Sequence, residues 1–224
     1  MYLKRITPNF RGMLNPVLHA SQNSKKIALT FDACSTLLPS RTDSAVIEIL
    51  IRTGTPATLF LGGKWVLDRP DDARFLTNIA FFEIGNHSYL HGHLTRVSDE
   101  RLRDEIRWTQ EIIYTVTGVA PQFFRPPYIE YDDRVIQAAS SFGLTTVIGD
   151  VPSGDPDPNA TKDKLIAEIL HGVKTGSIVI MHMNQGGKHT AEALPETIRL
   201  LRENGYELVT MSDLLKNPDS GVGR

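Results

Sequence analysis

Short apolar runs alternate with amphipathic segments along most of the chain, and this alternation constrains the possible folds most. The runs suit buried strands, and the segments between them carry apolar residues at helical spacing. About seven strand–helix repeats indicate a parallel sheet, because each parallel return needs a long crossover connection. We therefore predict an α/β fold, a distorted or incomplete (β/α) barrel of about seven strands. The predicted strands are Lys26–Phe31, Ala57–Leu61, Phe81–Ile84, Phe123–Arg125, Thr145–Ile148, Ser177–Met181 and Glu207–Thr210.

The segments between these strands predict helices. Asp43–Thr53 shows helical spacing clearly, and Thr42 before it is the predicted N-cap. The other predicted helices are Asp71–Ile79, Ser98–Thr117, Asp132–Phe142, Thr161–His171 and Thr190–Glu203. Barrels of about this length commonly form one domain, and no Pro-, Gly- or Ser-rich linker interrupts the pattern. We expect a single domain over residues 1–224, with residues 1–25 as an N-terminal extension.

Composition narrows the class of partners. Apolar residues make up 41% of the chain and charged residues 22%, which is typical of a globular protein with a sizeable core. The net charge of −2 and the lack of a long basic run argue against nucleic acid or an anionic membrane as the main partner. No apolar run is long enough to span a membrane. Residues 1–15 lack the apolar core of a secretory signal, and the single cysteine, Cys34, excludes an intrachain disulfide.

Polar residues follow several of the predicted strands. They are Asp32, His87, Arg125, Asp150 or Asp155, and His182. Such positions belong to the loops at the C-terminal face of a barrel, where barrel active sites form. We therefore expect these side chains to meet, although 150 residues separate the first from the last.

His87 and His91 are the most specific chemical signal among these positions. A spacing of four residues places two imidazoles on one side of a helical turn, with Cβ atoms about 5–6 Å apart. Both rings could then reach one cation at about 2.0–2.1 Å per Zn–N bond. Two histidines leave a tetrahedral ion short of protein ligands, so the pair means little alone. Together with Asp32, Arg125 and His182, it predicts a metal-dependent hydrolase.

Five segments, in this order, strengthen that prediction. They are Thr30–Asp32, His87–His91, Arg125–Tyr128, a degenerate Asp150–Asp155, and Ile180–His182. Together they resemble the five motifs of the polysaccharide deacetylases, the family-four carbohydrate esterases. The resemblance extends from about residue 26 to about residue 215. It implies a distorted β/α barrel that hydrolyses N-acetyl groups from the amino sugars of a glycan, such as peptidoglycan, chitin oligomers or an exopolysaccharide.

The resemblance also implies a metal site. His87 and His91 match the two histidine ligands of the family, and Asp32 matches the aspartate that acts as general base on the metal-bound water. Zinc is the expected divalent ion, with cobalt and nickel as alternatives, because histidine ligands suit all three metals.

The remaining matches imply roles around that site. Arg125 matches the arginine that orients and tunes the base, and Asp155 matches the aspartate that holds this arginine. Tyr128 matches the tyrosine whose backbone N–H helps to hold the oxyanion. His182 matches the general acid that protonates the departing amine.

One departure affects the expected metal site. The family usually has two adjacent aspartates, the first acting as base and the second as metal ligand, whereas this chain reads Asp32-Ala33. Ala33 cannot bind a metal. The alternatives are that Asp32 moves toward the ion, that Asp43 or Cys34 replaces the lost ligand, or that the site is metal-poor.

Three functions follow as hypotheses. The first is a deacetylase acting on an acetylated glycan or oligosaccharide, in which case the family resemblance suggests a secreted or cell-envelope protein. The second is a related amidohydrolase acting on a small non-sugar amide. The third is a catalytically inactive, glycan-binding relative. The joint presence of Asp32, Arg125 and His182 favours catalysis, because a binding module needs neither an acid nor a base.

Overall fold

The computed structural model describes residues 15–21 and 25–216, and most of the predicted N-terminal extension lies outside these residues. Within them the chain has an α/β fold, in which helices surround one parallel β-sheet. The strands are β1 (Lys26–Ala33), β2 (Ala57–Leu61), β3 (Phe82–Asn86), β4 (Phe123–Phe124), β5 (Thr145–Thr146), β6 (Val151–Pro152), β7 (Ile178–His182) and β8 (Glu207–Val209). The helices are α1 (Ser44–Arg52), α2 (Gly63–Asp68), α3 (Pro70–Thr77), α4 (Asp99–Thr117), α5 (Asp133–Ser141), α6 (Lys162–Gly172), α7 (Thr190–Glu203) and α8 (Met211–Leu215). None of the described helices is long and apolar enough to cross a membrane.

The strands pair in parallel in the order β5-β4-β3-β2-β1-β7-β6, with β8 beside β1, so the predicted incomplete (β/α) barrel is confirmed. The described residues contain no ladder between β5 and β6. Instead, Val17 forms an isolated parallel bridge with Val147, which follows β5. Its N–H donates to Thr146 O at 2.8 Å, and its carbonyl accepts from Ile148 N at 2.8 Å. A short N-terminal segment therefore lies along one edge of the sheet.

Side chains alternate along β1 between two apolar regions. Leu29, Phe31 and Ala33 belong to the large buried cluster that includes residues of α1 and α7, whereas Ala28 belongs to a separate cluster that includes Phe60. This is the alternation of successive side chains expected for a strand buried on both faces. Ala33 therefore packs in an apolar layer.

The predicted strands and helices are present, but three short elements were not predicted. α2, β6 and α8 have six, two and five residues, too few to show a clear period. The predicted N-cap of α1, Thr42, is also wrong. The Asp43 side chain caps α1 by accepting from Ala45 N and Val46 N, and the Thr42 hydroxyl donates to Asp72 instead.

Gly85 in β3 provides the space for an aromatic ring in the barrel. A Cβ atom there would lie 2.4 Å from Cδ1 of the fully buried Phe60. The Arg125 guanidinium lies over the same ring, 4.2 Å from its centre. A side chain at position 85 would therefore displace the ring that supports Arg125.

We expect Gly85→Ala to lower the free energy of unfolding by about 1–3 kcal/mol, because overpacking forces neighbouring side chains out of place. Urea denaturation followed by circular dichroism measures this change. Gly92→Ala is the matched control, since a Cβ at Gly92 meets no heavy atom within 4 Å. Equal stability of the two variants would contradict the packing account.

Candidate active site

Asp32 and Arg125 form a buried ion pair inside the barrel. Arg125 Nη1 lies 2.8 Å from Oδ1 of Asp32, and the two residues are 0% and 4% exposed, respectively. Burial is the largest single influence and raises the pKa of the Asp32 carboxyl, but the charge and hydrogen bond of Arg125, together with His87 and His182, lower the pKa below its ordinary value. Arg125 Nε and Nη2 have no hydrogen-bond partner among the described residues. The carboxylate is thus held in its charged form.

One ring nitrogen of His87 contacts a backbone carbonyl, and the other faces Asp32. Its Nδ1 lies 2.8 Å from the carbonyl oxygen of Arg125, to which it donates when protonated. Its Nε2 lies 3.6 Å from Asp32 Oδ2 and has no hydrogen-bond partner within the described part of the chain. Burial lowers the pKa of His87, which favours the neutral ring. A metal-binding histidine has this arrangement, with one N–H given to a carbonyl and a lone pair on the other nitrogen.

The segment from His87 to His91 is a loop, so the predicted helical turn is wrong. Ser88 and His91 have φ angles of 62° and 55°, in the left-handed region that a right-handed helix does not use. The two ring centroids are nevertheless 5.0 Å apart, because the loop bends back on itself. Burial and the neighbouring His87 lower the pKa of His91 to about 3. Both rings are therefore neutral at neutral pH, as metal binding requires.

His182 lies beside Asp32, its register partner across β1 and β7. His182 Nδ1 lies 2.9 Å from Asp155 Oδ1, and its backbone N–H donates to Oδ2 at 2.7 Å. The Thr190 hydroxyl, which the sequence did not single out, donates to the same Oδ2 at 2.8 Å. Burial is the largest single influence and lowers the pKa of His182, but the hydrogen bond and charge of Asp155, together with the charge of Asp32, raise the pKa above its ordinary value.

These contacts contradict the predicted role of Asp155. The family resemblance implied that Asp155 holds Arg125, whereas the Asp155 carboxylate bonds His182. The reason is topological: Asp155 follows β6, next to β7, and Arg125 follows β4 on the other side of β1. Asp150, the other candidate in this segment, accepts from Ile178 N and the Ser177 hydroxyl at the start of β7, away from the strand ends where His182 lies.

Tyr128 lies at the mouth of the site with 53% of its surface exposed. Its ring centroid is 4.7 Å from that of His91, and it stacks on His93 at 4.3 Å with an interplanar angle of 16°. His93 also bonds Glu130, with Nδ1 2.8 Å from Oε2. Tyr128 and Ile129 both have φ of 58°, which costs about 1–3 kcal/mol each. The stacked pair helps to hold this strained loop.

Of the alternatives for the lost ligand, Asp43 is engaged elsewhere, since its carboxylate caps α1 with Oδ1 3.1 Å from Ala45 N. Burial raises the pKa of the Cys34 thiol to about 11, with a further contribution from the charge of Asp32, so the thiol stays neutral in the metal-free protein. Asp32 remains, with Oδ2 facing His87 Nε2.

Two neutral imidazoles and the carboxylate of Asp32 are donor types that suit a divalent ion. The buried His87 Nε2 favours an ion most directly, since an unpartnered polar atom in the interior costs free energy. In residues 15–21 and 25–216, however, no three His, Cys, Asp or Glu side chains are grouped so that they could hold an ion. His87 and His91 thus supply part of a metal site, and the position of Ala33 supplies no ligand.

Comparison with known proteins agrees with this geometry. The family model for polysaccharide deacetylase matches residues 19–147. The peptidoglycan-N-acetylglucosamine deacetylase PgdA of Listeria monocytogenes is 31% identical over 89% of this chain and 41% of its own length. The chain spans between about a third and a half of the first curated relatives that it matches.

Solved structures of related proteins also resemble the chain. A CE4 family pseudoenzyme from Bacillus anthracis has a TM-score of 0.82 and 28% identity, over 91% of this chain and 70% of that one. A mutant of that pseudoenzyme with restored enzymatic activity also has a TM-score of 0.82. A family 4 acetyl xylan esterase from Clostridium thermocellum, in complex with a cobalt ion, has a TM-score of 0.75 and 30% identity, over 84% of this chain and 89% of that one. From the family match, the motifs and the shared fold, we conclude that the chain belongs to the polysaccharide deacetylase family, the family-four carbohydrate esterases.

Proposed function

We propose that this protein removes N-acetyl groups from the amino sugars of a glycan, with a divalent ion held by His87, His91 and Asp32. The observation that carries the proposal is an acid and a base placed side by side. Asp32 and His182 are register partners; Arg125 favours the charged form of the first, and Asp155 bonds the second and raises its pKa. Oppositely tuned titratable groups in one pocket are typical of acid–base catalysis.

The residues would act in a fixed order. A bound divalent ion lowers the pKa of water and polarises the carbonyl oxygen of the substrate. Asp32 would accept the proton of the attacking water, and its hydrogen bond to Arg125 would hold the carboxylate in place. His182 then protonates the departing nitrogen from Nε2, because Nδ1 is engaged by Asp155. The backbone N–H of Tyr128 helps to hold the oxyanion.

The proposed substrate class rests on the similarity of this chain to its curated relatives. The Listeria relative is named for N-acetylglucosamine in peptidoglycan, and we propose an acetylated glycan of this kind as the substrate. Such a substrate would place the protein in the cell envelope or outside the cell. We propose zinc as the metal, with cobalt or nickel as substitutes; the cobalt ion in the related esterase supports this group of metals.

A non-catalytic, glycan-binding protein is the second candidate. Two observations favour it: Ala33 stands where the family usually has a metal-binding aspartate, and one similar structure is a pseudoenzyme. Against it, a binding module gains nothing from a buried Asp32 and His182 that are each held in a defined charge state.

Zinc binding and acetate release separate the candidates. We expect isothermal titration calorimetry to show about one zinc ion bound per chain, and N-acetylated chitooligomers to release acetate. Asp32→Asn should weaken zinc binding by about 10–100-fold, the loss typical of damage to a metal's surroundings. Zinc binding without acetate release would point to a different amide substrate. Glycan binding without zinc would support the non-catalytic candidate.

We expect His182→Ala to lower kcat by about 10²–10⁴-fold, the usual loss when a general acid is removed. Zinc content should stay unchanged, because His182 is not among the proposed ligands. Steady-state kinetics and elemental analysis of the same preparation measure both effects. Near-normal turnover would refute the assignment of His182 as the acid.

Asp155→Asn should move the alkaline limb of the kcat/KM profile to lower pH. The wild-type limb reports loss of the His182 proton, and Asp155 raises that pKa against the opposing effects of burial and Arg125, with Asp32 contributing in the same direction. Without the Asp155 charge, His182 loses its proton at lower pH. Thr190→Val is the control, since it removes a hydrogen bond to the same carboxylate but no charge. An alkaline limb that moves equally in both variants would contradict the electrostatic explanation.

A further inference from the structure

Glu105 is a buried carboxylate that the proposed mechanism does not use. It lies on α4, is 3% exposed, and points at the loop between His87 and His91. Its Oε2 accepts from the backbone N–H of Tyr89 at 2.8 Å and of Leu90 at 2.9 Å. Two successive loop amides therefore share one charged acceptor, and such charge-assisted bonds are stronger than neutral ones.

The other oxygen of Glu105 is also engaged. Oε1 pairs with Arg101, one helical turn earlier on α4. The Arg101 guanidinium lies 5.0 Å from the ring centre of Trp108, and the Trp108 ring packs edge-on against Tyr89 at 5.7 Å. Arg101 thus fixes the Glu105 carboxylate. Its guanidinium lies over Trp108, and Trp108 in turn packs against Tyr89 of the loop.

Other backbone groups of the loop bond to neighbouring elements. Ser88 N–H donates to Asn86 Oδ1 at 3.0 Å. The carbonyl oxygens of Ser88 and Tyr89 accept from Gly63 N at 2.9 Å and Lys64 N at 3.1 Å, at the start of α2. α2 thus holds two carbonyls of the loop, and Glu105 holds the amides of Tyr89 and Leu90.

This arrangement has a consequence for His87 and His91. No helical hydrogen bonds set their spacing, because the loop uses left-handed residues at Ser88 and His91. The distance of 5.0 Å between the two ring centroids depends on contacts from outside the loop. Loss of the Glu105 acceptor would leave two amide donors without their partner and free the segment that joins the two histidines.

We propose that Glu105 is a positioning residue that sets the geometry of the His87–His91 pair and so its affinity for a metal ion. The effect on the metal rests on the proposed function, whereas the effect on the loop does not. Glu105 acts on the two imidazoles indirectly, through its hydrogen bonds to the Tyr89 and Leu90 amides.

Two substitutions at Glu105 test the proposal by zinc titration calorimetry on the whole chain. Glu105→Met keeps the length of the side chain and removes both acceptors, and we expect zinc to bind about 10–100-fold more weakly. Glu105→Gln keeps one neutral acceptor, and its affinity should lie between those of the methionine variant and the wild type. Zinc affinity in Glu105→Met equal to that of the wild type would overturn the proposal.

Ile113→Ala is the matched control for lost stability. Ile113 is a fully buried residue on the same helix that packs in the main apolar cluster. Its loss should destabilise the fold but leave zinc affinity within about twofold of the wild type, because Ile113 supplies neither acceptor nor charge to the loop. An equal loss of affinity in Ile113→Ala and Glu105→Met would reduce Glu105 to a general structural role and refute the proposal.

Amide hydrogen exchange of the metal-free proteins keeps this test separate from the proposed function. In Glu105→Met, exchange at Tyr89 and Leu90 should be at least about tenfold faster than in Ile113→Ala, since their acceptor is gone. If the wild type binds no zinc, the proposed metal site fails, and this exchange experiment alone decides whether Glu105 holds the loop. Equal exchange rates in the two variants would refute the positioning role.

Discussion

The buried ion pair between Arg125 and Asp32 is the interaction on which the rest of the site depends. It joins the end of β4 to the end of β1, two strands separated by β2 and β3 in the sheet. A sheet must curl for the two side chains to meet, so the pair and the barrel shape require each other. Removing two charges from water is costly, and such pairs often stabilise a fold little or not at all. The pair is better explained by chemistry than by stability.

Residues from several strand ends contact Asp32 and its neighbour His182. On one side Arg125 favours the charged form of Asp32, and on the other side Asp155 raises the pKa of His182. The two partners come from different strand ends, and the charges of Asp32 and His182 also act on each other. The unpartnered Nε2 of His87 faces the same carboxylate, which makes Asp32 the point where base chemistry and metal binding meet.

Local patterns predicted most of the fold and the strand ends at which the candidate site residues lie. The strand–helix alternation revealed the barrel because apolar periodicity is written within each segment, whereas α2 and α8 are too short to show a period. The strand-end rule located Asp32, His87, Arg125 and His182. The strand-end rule could not predict which side chain Asp155 bonds, because its partner depends on which strands are neighbours in the sheet. Nor could it reveal the loop at His87–His91, whose four-residue spacing suits a helix equally well and whose conformation is set by side chains from distant helices.

The bridge between Val17 and Val147 has a consequence for the order in which the molecule assembles. Its two residues lie 130 positions apart in sequence, so closing this contact has a large entropic cost and comes late in folding. During synthesis Val17 leaves the ribosome 130 residues before Val147 and can pair only once that partner has been made. We therefore expect this edge of the sheet to close after the strands between the two residues have formed.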